Sequence, residues 1–140
     1  MRSRCVVAAV VASLVAAVSS GCVLRTEKIQ QRTARVTVGG TTRTSHAVSC
    51  SQVQWLWTAD ISVAPARVRV LLRLGRGKPE PQSVNIDHFE GFTGVADSGV
   101  GKAAAVFADN TYIVRGTAQG TDPDNPTTPA TADFTIEVSC

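Results

Sequence analysis

The chain has 140 residues, of which 44% are hydrophobic and 5% aromatic, with 14 Lys and Arg against 11 Asp and Glu. Arg2 and Arg4 stand at its extreme N-terminus, and without them the charges nearly cancel, so the basic total is no argument for nucleic-acid binding. The residues beyond the N-terminal segment suffice for one domain with a core and not for two, and they lack the GxSxG and HExxH patterns of common hydrolases and zinc peptidases.

Residues 1–21 read as a secretory signal: two arginines, an apolar run from Cys5 to Val18, and the small exit Ser19-Ser20-Gly21 before Cys22. The run falls short of the roughly 20 apolar residues that a membrane-spanning helix needs, so removal rather than retention is expected. Small residues leading into Cys22 resemble a bacterial lipobox, in which the thiol receives a diacylglyceryl group and the Cys becomes the new N-terminus. Ser19 stands where an aliphatic residue is usual, which keeps ordinary cleavage and a soluble secreted product as the alternative. The expected organisation is a signal over 1–21, a short tether over 22–35 and one β-rich domain over 36–140, exported and held at the cell membrane or envelope.

Period-two alternation dominates the rest. In chain order, "ARVTV" (34–38) is a strand ending at the Gly39-Gly40 turn, and "HAVSC" places Val48 and Cys50 on one face. "VQWLWTADI" reads as one strand with Val53, Trp55, Trp57, Ala59 and Ile61 inward. "ARVRVLLRL" follows, with Val68, Val70, Leu72 and Leu74 opposite Arg67, Arg69 and Arg73. Beyond a loop over 75–81 come "QSVNIDHF" (82–89), "FTGVA" (92–96), "AAAVFA" (103–108) and "TYIVRGTAQG" (111–120), with a hairpin turn at Asp109-Asn110. "ADFTIEVSC" closes the chain with Phe134, Ile136, Val138 and Cys140 inward. The fold class is mostly β, an antiparallel sandwich or partial barrel.

An exported chain whose Cys5 lies in the signal and Cys22 in the lipobox leaves Cys50 and Cys140 as a disulfide pair, since the compartment is oxidising. Both lie on inward faces, as a bridge requires.

Three stretches invite a chemical reading. "ADSGVGKA" (96–103) resembles a phosphate-binding P-loop, but Ala96 replaces the first Gly and Ala103 the Mg²⁺-binding hydroxyl. "AAAVF" after it reads best as a strand of a hairpin rather than the helix a P-loop needs, though its alanines leave a helix open. A Gly-rich turn and no nucleotide partner are expected. "DHFE" sets His88 and Glu90 on one strand face and Asp87 opposite, an incomplete metal or catalytic set; no catalytic residue, metal or cofactor is assigned. In "GTDPDNPTTPAT" Asp122, Asp124 and Asn125 could approach Ca²⁺, but Pro126 occupies the fifth ligand position of an EF-hand spacing, and Asx turns in a long exposed loop account for them better.

Basic residues concentrate between Arg25 and Lys78 and acidic ones between Pro79 and Cys140. Cross-strand charge pairing is the expected outcome, with a basic face on anionic headgroups as the alternative.

The C-terminal stretch "YIVRGTAQGTDPDNPTTPATADFTIEVSC", through Tyr112, Gly116, Ala118, Gly120, Asp122, Asn125-Pro126, Pro129, Phe134, Ile136-Glu137-Val138 and Cys140, resembles the end of the LpqH family of mycobacterial lipoprotein antigens. The segment 78–110 and the positions of the Cys50 strand and signal fit more loosely. The resemblance implies a small disulfide-bridged β domain, acylated at Cys22, non-enzymatic, immunogenic, and stimulating host pattern-recognition (Toll-like) receptors. Two departures stand out: the tether is short and charged where the family has a long Thr/Ser/Ala-rich linker, and Trp55 and Trp57 fall on a strand that is generally less aromatic. Those tryptophans leave a second reading open, a carrier whose apolar ligand, such as a lipid, is lined by Trp55, Trp57, Val68, Val70 and Leu72.

Overall fold

The computed structural model describes residues 32–140. The expected signal over 1–21 and Cys22 lie outside the described residues. Among the described residues ten strands form: β1 (Thr33–Val38), β2 (Thr41–Ser45), β3 (Val48–Val53), β4 (Leu56–Val63), β5 (Ala66–Arg73), β6 (Glu80–Phe89), β7 (Phe92–Asp97), β8 (Lys102–Ala108), β9 (Thr111–Thr121) and β10 (Pro129–Ser139). β1 begins at Thr33, inside the stretch read as tether, because Thr33 and Ala34 already pair with Ser139 and Val138 of β10.

The strands make one antiparallel sheet in the order β2-β1-β10-β9-β7-β6-β5-β4-β3, with β8 pairing beside β7 along the same edge of β9. Its two edges, β2 and β3, are consecutive in the chain and joined only by His46 and Ala47. Two residues span at most about 11 Å, so the sheet must curl until its edges meet. The result is a nearly closed barrel. The Ser45 hydroxyl donates to the Ser62 carbonyl of β4, and the Ser62 amide donates to the Ala47 carbonyl at 3.0 Å. β2 carries no apolar signal in the sequence: "TTRTS" has no apolar residue, and its place comes from pairing with β1 and from that seam.

Inside the curl lies a single core. Val36, Ala59, Val70, Leu72, Val84, Val114, Ile136 and Val138 are completely inaccessible to solvent. Its side chains come from alternate residues, as half-buried strands require. Tight turns set the pairing. Gly39-Gly40, Glu90-Gly91 and Asp109-Asn110 each join two strands with positive φ at both central residues, the geometry that matches strand twist.

Two irregularities bend the sheet. The β5–β6 pairing shifts at Leu71/Leu72, and the β6–β7 pairing shifts between Ile86 and Phe89, where His88 has a φ of +53°. Strand β9 gives way at Gly116 and Gly120. A Cβ at either would stand 1.8 Å from a backbone oxygen, that of Lys102 or Thr93, so only glycine lets β8 and β7 come this close.

Candidate functional site

The sequence places two tryptophans together; the fold separates them. β3 ends at Val53 and β4 begins at Leu56, with Gln54 and Trp55 as a two-residue turn in which Gln54 takes a φ of +53°. Facing residues across such a turn are three apart, so the inward parity switches from Val48 and Cys50 on β3 to Trp57, Ala59 and Ile61 on β4. The single-strand reading of "VQWLWTADI" is therefore corrected: Val53 is 72% and Trp55 68% exposed, while Trp57 is 5% exposed. Of the proposed ligand lining, Trp57, Val68, Val70 and Leu72 are gathered in the core and Trp55 is not.

Trp57 packs tilted on Tyr112 of β9 with ring centroids 4.3 Å apart, and Phe107 of β8 lies 4.5 Å from the same tyrosine. The three rings tie the start of β4 to the β8–β9 hairpin. Burial pushes the Tyr112 phenol above its ordinary pKa, because the phenolate is poorly solvated there. Close by, Cys50 of β3 and Cys140, just beyond β10, form the disulfide with Cα atoms 6.3 Å apart. It fastens the end of β10, an interior strand, to the edge strand β3 across a sequence separation of 90.

The stretch 96–103 is a strand, a turn and a strand. The Asp97 carboxylate accepts from the amides of Gly99 at 2.9 Å and Val100 at 3.1 Å, and the Asp97 amide donates to the Val100 carbonyl at 2.8 Å. The chain's own carboxylate thus holds amides that a P-loop would offer to phosphate. Lys102 opens β8.

At "DHFE" the strand-face assignment is corrected by the bulge. His88, in positive φ, points Nδ1 to Asp87 Oδ1 at 2.5 Å, while Glu90 sits in the β6–β7 turn and pairs with Arg43 of β2 at 3.4 Å. His88 and Glu90 do not share a strand face. No group of three or more metal-ligating side chains forms among the described residues. In the loop, strands run to Thr121 and from Pro129, leaving 122–128 shorter than read. Asp122 Oδ1 accepts from the Asp124 amide at 2.8 Å, an Asx turn, and Asn125 Oδ1 accepts from the Thr127 hydroxyl at 2.9 Å.

Registers place opposite charges across from one another, Arg35 facing Glu137, Arg67 facing Asp87 and Arg73 facing Glu80. Among the described residues the ion pair that joins the basic half to the acidic half is Arg43–Glu90. A groove of about 800 Å³ runs over the outward face of β4, β5 and β6, with Asp60, Arg67, Arg69, Asn85 and Asp87 along it. In it Arg69 Nε donates to Asp60 Oδ1 at 2.6 Å, a bond that raises the Arg69 pKa further above its ordinary value. The groove is open and charged, and Asp60 and Arg69 are paired within it.

A family model described as the Mycobacterium 19 kDa lipoprotein antigen matches residues 27–140. The chain belongs to this family. It is a β-rich, disulfide-bridged member of the 19 kDa lipoprotein antigens, as the C-terminal resemblance implied. The protein named "Probable lipoprotein LppE" of Mycobacterium tuberculosis is 36% identical over the whole of both chains. A Mycobacterium indicus pranii protein, also described as a lipoprotein, is 37% identical over the same extent. The likeness to "Lipoprotein LpqH" of Mycobacterium avium is 33% over 59% of this chain and 53% of that one. None of these relatives bears the name of an enzyme.

Proposed function

We propose that this 19 kDa-antigen family protein is a non-enzymatic lipoprotein of the cell envelope, anchored by a diacylglyceryl group on Cys22 and displaying its β-barrel on the outer surface. The acyl chains would make it immunogenic as a Toll-like receptor agonist. The observation that carries this reading is the extent of the likeness to lipoproteins: it runs through the whole chain, so it includes the signal-like segment and Cys22 as well as the barrel. A thiol directly after small residues at the end of an apolar signal is where such an anchor is attached.

The barrel supports the same reading by its packing. Trp57, Val68, Val70 and Leu72 are 5%, 1%, 0% and 0% exposed and serve as core, which does not favour carriage of an apolar ligand among them. Mass spectrometry of the membrane fraction should show an acylated N-terminal Cys22, and Cys22→Ala should abolish acylation and Toll-like receptor reporter stimulation. A mature N-terminus elsewhere with a free Cys22 thiol, or undiminished stimulation by the variant, would overturn the proposal.

A further inference from the structure

We infer that the end of the barrel bearing the Trp55 hairpin is a membrane-resting surface, docking on the anionic headgroup layer of the bilayer that holds Cys22. The inference rests on the anchoring proposed above and adds which face of the domain meets the lipid.

The first observation is an apolar tip that the fold leaves uncovered. Val53, Trp55 and Leu56 are 72%, 68% and 40% exposed at the β3–β4 turn. An exposed indole flanked by aliphatic groups is ill suited to bulk water. It suits the boundary between headgroups and acyl chains, where tryptophan concentrates.

The second is charge. Leu56 faces Arg73 across β4 and β5, and Arg73 faces Glu80 across β5 and β6, so the intervening loop lies beside the tip. That loop adds the exposed Arg76 and Lys78, and Glu80 offsets only one of the three cations. Anionic headgroups attract such a rim, each basic residue near the surface adding to the pull. A second copy of the chain would instead bring the three cations against their like.

The third is where the chain leaves the domain. Thr33 faces Ser139, the neighbour of Cys140, and Cys140 is bonded to Cys50, three residues before Val53. β1 runs away from this end and β3 runs toward it, so the Trp55 tip projects on the side from which the chain continues back to Cys22. From Cys22 to Thr33 there are eleven residue steps, at most about 40 Å of chain. An anchor at Cys22 therefore keeps this end within reach of the bilayer.

The test uses the full-length chain purified from expressing mycobacteria and reconstituted into phosphatidylglycerol–phosphatidylcholine vesicles with brominated acyl chains, acylation being read separately by mass spectrometry. Trp57 is buried and serves as the internal control. Emission should be quenched by the bromolipid and shielded from acrylamide, and Trp55→Phe should abolish that quenching without altering the circular dichroism spectrum. Joint replacement of Arg73, Arg76 and Lys78 by Gln should weaken the docked state about 100-fold, seen as loss of quenching in vesicles of low phosphatidylglycerol content. An acylated chain whose Trp55 stays open to acrylamide would overturn the docking while leaving the anchor in place. An unacylated chain whose Trp55 is still quenched would keep the docking and sink the anchor. A concentration-dependent blue shift without vesicles would assign the tip to a second copy and overturn the inference.

Discussion

Replacing Trp57 and Trp55 by alanine, one at a time, sets two neighbours of the same kind against each other. Trp57 is 5% exposed and packs on Tyr112 at 4.3 Å, within a core that includes Leu72 and Val70 of β5. Truncating a buried tryptophan loses both transfer energy and the contacts around the void, typically 3 to 5 kcal/mol. About 0.5 to 1.5 kcal/mol of that should belong to the ring pair, and a double-mutant cycle with Tyr112→Ala isolates it. For a domain of this size each kcal/mol lowers Tm by roughly 4 to 8 °C, so Trp57→Ala should melt at least about 12 °C below the parent. Trp55 is 68% exposed on a turn and contributes little packing, so Trp55→Ala should stay within about 0.5 kcal/mol. Urea unfolding of the two variants, followed by circular dichroism so that the probe does not depend on either indole, gives both values. Equal losses at the two positions would refute the hairpin and return both tryptophans to one face. A small loss at Trp57 accompanied by release of a bound apolar molecule would refute the packed core and restore the carrier reading.

Reduction of Cys50–Cys140, or the double Cys→Ser variant, should cost about 4 to 5 kcal/mol on the chain-entropy model for a loop of 90 residues, checked by urea titration with and without reductant. An unchanged midpoint would show that the link does not restrain the unfolded chain. Gly116→Ala should be far more damaging than its one methyl suggests, because the new carbon would stand 1.8 Å from the Lys102 carbonyl oxygen and strand β8 would have to move. Poor yield or a large fall in Tm is expected, and Ala118→Gly on the same strand, which adds no atoms, serves as the mild comparison.

Much of this barrel is legible in the chain itself. Alternation in "ARVRVLLR" and "ADFTIEVS" assigns inward and outward residues correctly because side chains of a strand alternate whatever its neighbours are, and the burial patterns of β5 and β10 follow it. Cys50 and Cys140 are paired by elimination and by parity, both local properties, and Asp109-Asn110 announces its turn through residues that tolerate positive φ. The turn at Gln54-Trp55 carries no such residue, so alternation runs straight through it in the sequence and places Trp55 inside. At His88 one extra residue in the strand breaks the same parity, and a bulge has no composition of its own. Closure of the sheet, the place of polar β2 and the meeting of Trp57 with Tyr112 depend on strands far apart in sequence. The Trp55 tip, the basic β5–β6 loop and the start of β1 likewise come to one end only through pairing. Side-chain alternation is a property of each strand alone, but which strands become neighbours is decided by the core they bury together, and that exists only in the folded chain.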